Sequence, residues 1–154
     1  MTKSISEDAV RAIFKRSIEH GGKLIVSRSI KTAIASEAKR FVVWLPFPPA
    51  TNNLFFNAAG RGRVTTDRYR AWQEEAAWRI HAQKPSRVMG PFSAEIVISR
   101  PDKRRRDLDG LAKPILDCLV KNSLVEDDSL CERLVMEWAL EGEGVLVTVT
   151  KATK

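Results

Sequence analysis

The chain has 154 residues, 44% of them hydrophobic and 29% charged, which fits one globular domain with a real core and leaves little for a second. No stretch approaches the roughly 18 apolar residues needed to span a bilayer, and the polar run after Met1-Thr2-Lys3 is not a signal core, so the expected setting is the cytoplasm, without a membrane. Cys118 and Cys131, supported only by His20 and His81, are too few and wrongly spaced for a zinc site and read as reduced, buried thiols.

The formal net charge is +7, unevenly spread: residues 1–40 hold nine Lys/Arg against four Asp/Glu, and the rest is nearly neutral. From Ser4 to His20, the spacing Val10, Ile13, Phe14, Ile18 predicts a helix, opened by the capping box Ser4-x-x-Glu7 and closed by Gly21-Gly22. Lys23 to Arg40 mixes apolar and basic residues and fits either a strand followed by a helix or an arm that orders only on binding. Residues 1–40 are thus expected to form an N-terminal basic helical extension to a domain covering 41–154.

That domain should open with a short strand, Phe41-Val42-Val43-Trp44-Leu45, stopped by Pro46, Pro48 and Pro49. A polar, basic loop follows with Asn52, Asn53, Asn57, Gly60, Arg61, Gly62 and Arg63, suited either to lie along a phosphate backbone or simply to be solvated. Thr65 or Thr66 then caps a helix whose Tyr69, Trp72, Ala76 and Ile80 share one buried face. Phe92, Ala94, Ile96 and Ile98 alternate with Ser93, Glu95, Val97 and Ser99, the period of a strand buried on one side. Leu134, Met136, Trp138 and Leu140 alternate again, and Glu141-Gly142-Glu143-Gly144 leads into Val145–Val149, which predicts a hairpin. The fold class expected is α+β, a four-stranded mixed sheet with two packed helices.

The chemistry concentrates between these elements. Arg100, Lys103, Arg104, Arg105 and Arg106 stand directly before Asp107-Leu108-Asp109. If that segment is extended, the two carboxylates project to one side about 6.5 Å apart, with Leu108 anchored in the core. Acids so close repel, and a hard cation such as Mg²⁺ turns the repulsion into coordination. Pro114 limits the next helix to a start near Leu111 to Lys113; Ile115, Leu116, Leu119 and Val120 form its buried stripe up to Lys121-Asn122. Ten helical residues carry the chain about 15 Å away, and Ser123 to Asp128 can retrace about 20 Å, so Asp127-Asp128 can return to the first pair. Lys113, at the helix entrance, can stabilise charge on a phosphate oxygen, unless it pairs with Asp117 one turn on.

The run RPDKRRRDLDGLAKPILDCLVKNSLVEDDSL resembles the RusA family of Holliday-junction endodeoxyribonucleases, in which a basic run precedes D-x-D-N-x-x-K and a D-D pair follows the helix. LPFPPATNNLFFNAAGRGRVTTDRYRAW is similar to that family's opening strand, Pro-Pro-x-x-Asn loop and first helix, so the likeness runs from about residue 41 to 150. The resemblance implies that Asp107, Asp109 and Asp128 hold the metal, Mg²⁺ with Mn²⁺ as a substitute. It makes Lys113 the essential lysine and gives Asp127 a supporting role. Gly110 departs from the pattern, standing where the family usually has asparagine.

The activity so implied is phosphodiester hydrolysis by one or two metal ions, giving 5′-phosphate and 3′-hydroxyl ends. Lys103, Arg104, Arg105 and Arg106, with Arg61, Arg63 and Arg68, would hold DNA phosphates. The substrate expected is a four-way junction or other branched DNA, nicked in pairs by a symmetric homodimer, in recombination and repair. Two rival readings are a non-catalytic DNA-junction-binding module, with Gly110 marking decay of the site, and a metal-dependent nuclease acting on other branched DNA or on RNA.

Overall fold

The computed structural model describes residues 39–152. The helix and basic arm expected over residues 1–40 lie, except for the last two positions, outside the described residues. Within them the chain runs β1 (Arg40–Leu45), a 3-10 turn (Thr51–Asn53), β2 (Phe55–Ala58), β3 (Gly62–Thr65) and α1 (Asp67–Gln83). It continues through β4 (Phe92–Ile98), a 3-10 turn (Asp109–Leu111), α2 (Ala112–Lys121), a 3-10 turn (Asp128–Leu130), β5 (Cys131–Trp138) and β6 (Val145–Lys151).

The main sheet is four-stranded and mixed, in the order β1-β6-β4-β5. β6 is antiparallel to both β1 and β4, and β5 is parallel to β4. Registers such as Val43 against Val147 and Ile96 against both Val147 and Met136 put the alternate apolar side chains of all strands on one face. That face meets Tyr69, Trp72, Ala76 and Ile80 of α1 and Ile115, Cys118 and Leu119 of α2 in one core. Phe92 is fully buried at the start of β4, and its truncation to alanine would cost about 3–5 kcal/mol.

Local chemistry sets the boundaries. Thr66 caps α1 by accepting a hydrogen bond from the Tyr69 N–H at 3.2 Å. α2 begins at Ala112, placing Pro114 in the first turn, where no intrahelical donor is missed. Gly144, at φ +75°, approaches so closely that a Cβ would lie 2.6 Å from the Leu45 carbonyl oxygen.

Three expectations are corrected. The strands 131–138 and 145–151 do not form a hairpin, because each pairs with β4 from opposite sides. β6 is buried at Val145, Leu146, Val147 and Val149, as befits a strand inside the sheet, whereas β5 lies at the edge with Leu134 41% exposed. The stretch 55–65, expected as a loop, is a small antiparallel hairpin turned at Gly60 and Gly62, which take φ +73° and +69°. Asp107-Leu108-Asp109 is not extended: Leu108 is helical at φ −67°, ψ −43°, and Asp109 opens a 3-10 turn.

Candidate active site

β4 delivers the chain to Arg100, whose guanidinium lies 4.0 Å from the centre of the Trp138 ring. Asp102 organises the basic loop that follows. Its carboxylate accepts from the Arg104 N–H at 2.9 Å, an Asx turn, and from the Arg106 guanidinium at 2.6 Å. The Arg104 N–H, and after it the Arg106 side chain, hold this carboxyl below the usual carboxylate range. Arg106 also lies over the Phe47 ring at 5.3 Å and is therefore folded back onto the domain, whereas Lys103, Arg104 and Arg105 are exposed.

Leu108 is half-buried and packs on the core while Asp107 and Asp109 on either side of it are exposed, so the anchoring expected of Leu108 holds in a turn as it would in a strand. The Leu111 N–H donates to the Leu108 carbonyl at 3.1 Å, and fully buried Leu111 leads directly into α2. The Thr51 hydroxyl donates to the Gly110 carbonyl at 2.8 Å, tying the turn that carries exposed Asn52 and Asn53 to the Asp109 turn. Lys113 donates to Asp117 at 3.0 Å along the helix surface.

Beyond α2, buried Leu124 and Val125 return the chain to the core. The Val88 N–H donates to the Leu124 carbonyl at 2.9 Å, and the Gly90 N–H donates to Glu126 at 2.6 Å. Asp127 then caps the last 3-10 turn by accepting from the Ser129 N–H at 2.8 Å. The Ser129 side chain, followed by its backbone N–H, keeps the Asp127 carboxyl below the usual range. Asp127 thus fixes the turn that presents exposed Asp128. α2 packs against both 3-10 turns, the one holding Asp109 and the one holding Asp128.

Asp107, Asp109 and Asp128 offer hard oxygen donors of the kind Mg²⁺ takes, and none forms an ion pair among the described residues. They are not drawn into one cluster: among the described residues no group of three His, Cys, Asp or Glu side chains is placed to hold a metal ion. In the hairpin, Arg63 lies 4.4 Å from the Phe55 ring centre, and Phe55 meets Tyr69 of α1 edge-on at 5.9 Å, so this basic projection is anchored to the helix. Arg61 at its tip and Arg68 in the first turn of α1 are exposed.

Sequence reasoning missed Asp102 and Thr51. Asp102 carried a usable signal, an acid directly before a basic run, whereas Thr51 carried none, because its partner is a distant backbone carbonyl. Among the described residues no helix is long and apolar enough to cross a membrane.

The family model described as Endodeoxyribonuclease RusA matches residues 46–150. The chain belongs to the RusA family of endodeoxyribonucleases. It is 30% identical over 114 residues to a protein of Escherichia coli strain K12 named Crossover junction endodeoxyribonuclease RusA, covering 72% of this chain and 94% of that one. A protein of the same name from Shigella sonnei strain Ss046 is 28% identical over the same shares. Another from Aquifex aeolicus strain VF5 is 24% identical over 116 residues, 73% of this chain and 90% of that one. The match spans the hairpin, both helices, the basic loop and both acidic turns, and its type of activity agrees with the one expected from the sequence.

Proposed function

We propose that this protein is a Mg²⁺-dependent, structure-specific endodeoxyribonuclease that resolves four-way DNA junctions by paired nicks, acting as a homodimer in the cytoplasm. The observation that carries the reading is the ordered arrangement around α2: a basic loop, Asp107 and Asp109 at its entrance, and Asp128 on a capped turn after it. The names of the relatives, which specify crossover junctions, supply the substrate.

Asp107, Asp109 and Asp128 would hold one or two Mg²⁺ ions, or Mn²⁺ in their place. The bound metal would supply an activated water and positive charge at the scissile phosphate. Lys103, Arg104 and Arg105, with Arg61, Arg63 and Arg68, contact phosphates and offset the repulsion between DNA and the acidic turns. Lys113 leaves Asp117 to meet the phosphate oxygen on which negative charge accumulates; an exposed helical ion pair is worth only about 0.3–0.5 kcal/mol, so the exchange is cheap. Asp127 is a positioning residue that keeps Asp128 presented.

The test is cleavage of a synthetic four-way junction, a duplex, a flap and an RNA hairpin with Mg²⁺, Mn²⁺ or EDTA. Junction cutting that needs metal and leaves 5′-phosphate and 3′-hydroxyl ends is expected. Asp107→Asn should abolish it while junction binding survives or tightens, since one charge repelling phosphate is gone. Binding without cutting under either metal would establish the non-catalytic module instead, and preferential cutting of flap or RNA would replace the substrate.

A further inference from the structure

The basic loop after β4 is shaped around one anion, and the anion is its own. Arg100 is stacked on Trp138 at 4.0 Å at one end of the loop, and Arg106 lies over Phe47 at 5.3 Å at the other. Between these anchors three donors converge on the carboxylate of Asp102. The Arg104 N–H reaches Oδ1 at 2.9 Å, the Arg106 Nη2 reaches Oδ2 at 2.6 Å, and the Arg104 guanidinium stands 3.9 Å from Oδ2. A backbone N–H and two guanidinium groups around one pair of oxygens is an arrangement that suits a phosphate equally well.

The site is open to exchange. The Asp102 side chain is 39% exposed and that of Arg106 26%, so solvent screens the pair and an external anion can compete for it. Of the five N–H donors of the Arg106 guanidinium, Asp102 engages the Nη2 group. Stacking on Phe47 orients the plane of that guanidinium independently of the carboxylate. Arg106 directly precedes Asp107, so an anion held there lies beside the first acidic turn.

The two oxygens of Asp102 have separable tasks. Oδ1 closes the Asx turn that shapes the loop, whereas Oδ2 neutralises Arg106 and, more weakly, Arg104. Asparagine, which is neutral, closes an Asx turn as well as aspartate does. The negative charge on Oδ2 therefore goes beyond what the shape of the loop demands.

We infer that Asp102 is an internal stand-in for a DNA phosphate, occupying Arg106 in the free protein and yielding it to a substrate phosphate while Oδ1 keeps the turn. This rests on the DNA-cleaving function proposed above and returns Arg106, folded back in the free protein, to the phosphate-binding set expected of it. Any DNA that uses Arg106 must first displace the carboxylate. Asp102 is thus a positioning residue that keeps the loop from gripping DNA on charge alone.

The experiment measures binding of the full-length chain to a synthetic four-way junction and to a duplex in EDTA, over a series of salt concentrations, with thermal melting of each variant. Asp102→Asn keeps the turn and removes the competing charge. It should melt like wild type, bind about fivefold tighter, and steepen the plot of log affinity against log salt by about 0.9, the contribution of one phosphate. Most of that gain should vanish when Arg106→Ala is added. Asp102→Ala, which also loses the turn, should fall short of the Asp102→Asn gain. Binding by Asp102→Asn that is no tighter and no steeper overturns the stand-in and leaves Asp102 as a turn former. A gain undiminished by Arg106→Ala also overturns it, because the carboxylate would then act only through the general field of the loop. Metal-dependent junction cutting by the wild type keeps the nuclease reading intact in either case, whereas wild-type protein that binds no DNA removes both.

Discussion

Lys113 offers the clearest separation of a structural from a chemical role. Its ammonium sits 3.0 Å from Asp117, but the two side chains are 51% and 28% exposed, so solvent screens the pair. The lysine also precedes the acid along the helix, the weaker orientation against the helix dipole. Together these bring the interaction to about 0.3 kcal/mol, a shift of about 1–2 °C in the melting temperature of a domain this size. Removing a positive charge that stabilises a reacting phosphate costs far more, about 100-fold in rate or 2.7 kcal/mol. The two roles therefore differ about tenfold in energy and can be read separately. Lys113→Met and Asp117→Asn should match in thermal melting, both within about 2 °C of wild type. In single-turnover junction cleavage the first should fall about 100-fold and the second stay within about twofold. Equal losses of activity in both variants would refute the reasoning, since the ion pair itself would then shape the helix entrance; full activity of Lys113→Met would remove the lysine from the chemistry.

Replacing Arg104 and Arg105 with alanine should weaken junction binding regardless of sequence and flatten the plot of log affinity against log salt by about two units, about 0.9 for each phosphate no longer neutralised; an unchanged slope makes them bystanders. Gly110→Asn has room, with no atom within 4 Å of an added Cβ. It should stabilise the fold by about 0.5 kcal/mol through the unfolded chain and hold or raise cleavage; a tenfold fall in rate would show that the turn needs glycine. Burial pushes the Cys118 thiol up to about 12, so the native state keeps a proton that the unfolded chain releases near pH 8.5. Stability should accordingly decline as pH rises from about 8.5 towards 12, and Cys118→Ala should lessen that decline in denaturant titrations; an unchanged pH dependence in the variant would remove Cys118 as its source.

The elements legible in the sequence were those whose side chains report their surroundings. β4 alternates because one face is core and the other is not, and α1 shows both its stripe and its threonine cap. The start of α2 followed from the single constraint of Pro114. Pairing was less legible, because adjacency in sequence suggests a hairpin while only register decides. The uninterrupted burial of Val145, Leu146 and Val147 was the available sign that β6 lies between two neighbours and does not follow β5 around a turn. The β2–β3 hairpin was hidden because Phe56, Asn57 and Arg63 are exposed and no buried face imposes a period of two. The setting of Asp107 and Asp109 in a turn was not legible, because a single residue, Leu108, changes from extended to helical without altering any hydrophobic period.

In the proposed function, that setting would let one helix carry both acidic turns. Turns hold their residues by backbone hydrogen bonds and caps, leaving Asp109 and Asp128 exposed to solvent. The positions of the turns themselves are fixed by α2, whose Ile115, Cys118 and Leu119 are buried in the core and whose Lys121 donates to Gln73 of α1 at 3.0 Å. Thr51 adds a brace from the opposite side at Gly110. Rigidity thus resides in the helix and its packing, while adjustability resides in short side chains at either end. In the proposed nuclease such a division would suit acids that repel one another until a cation arrives, because the packed helix holds the turns while exposed side chains stay free to change rotamer.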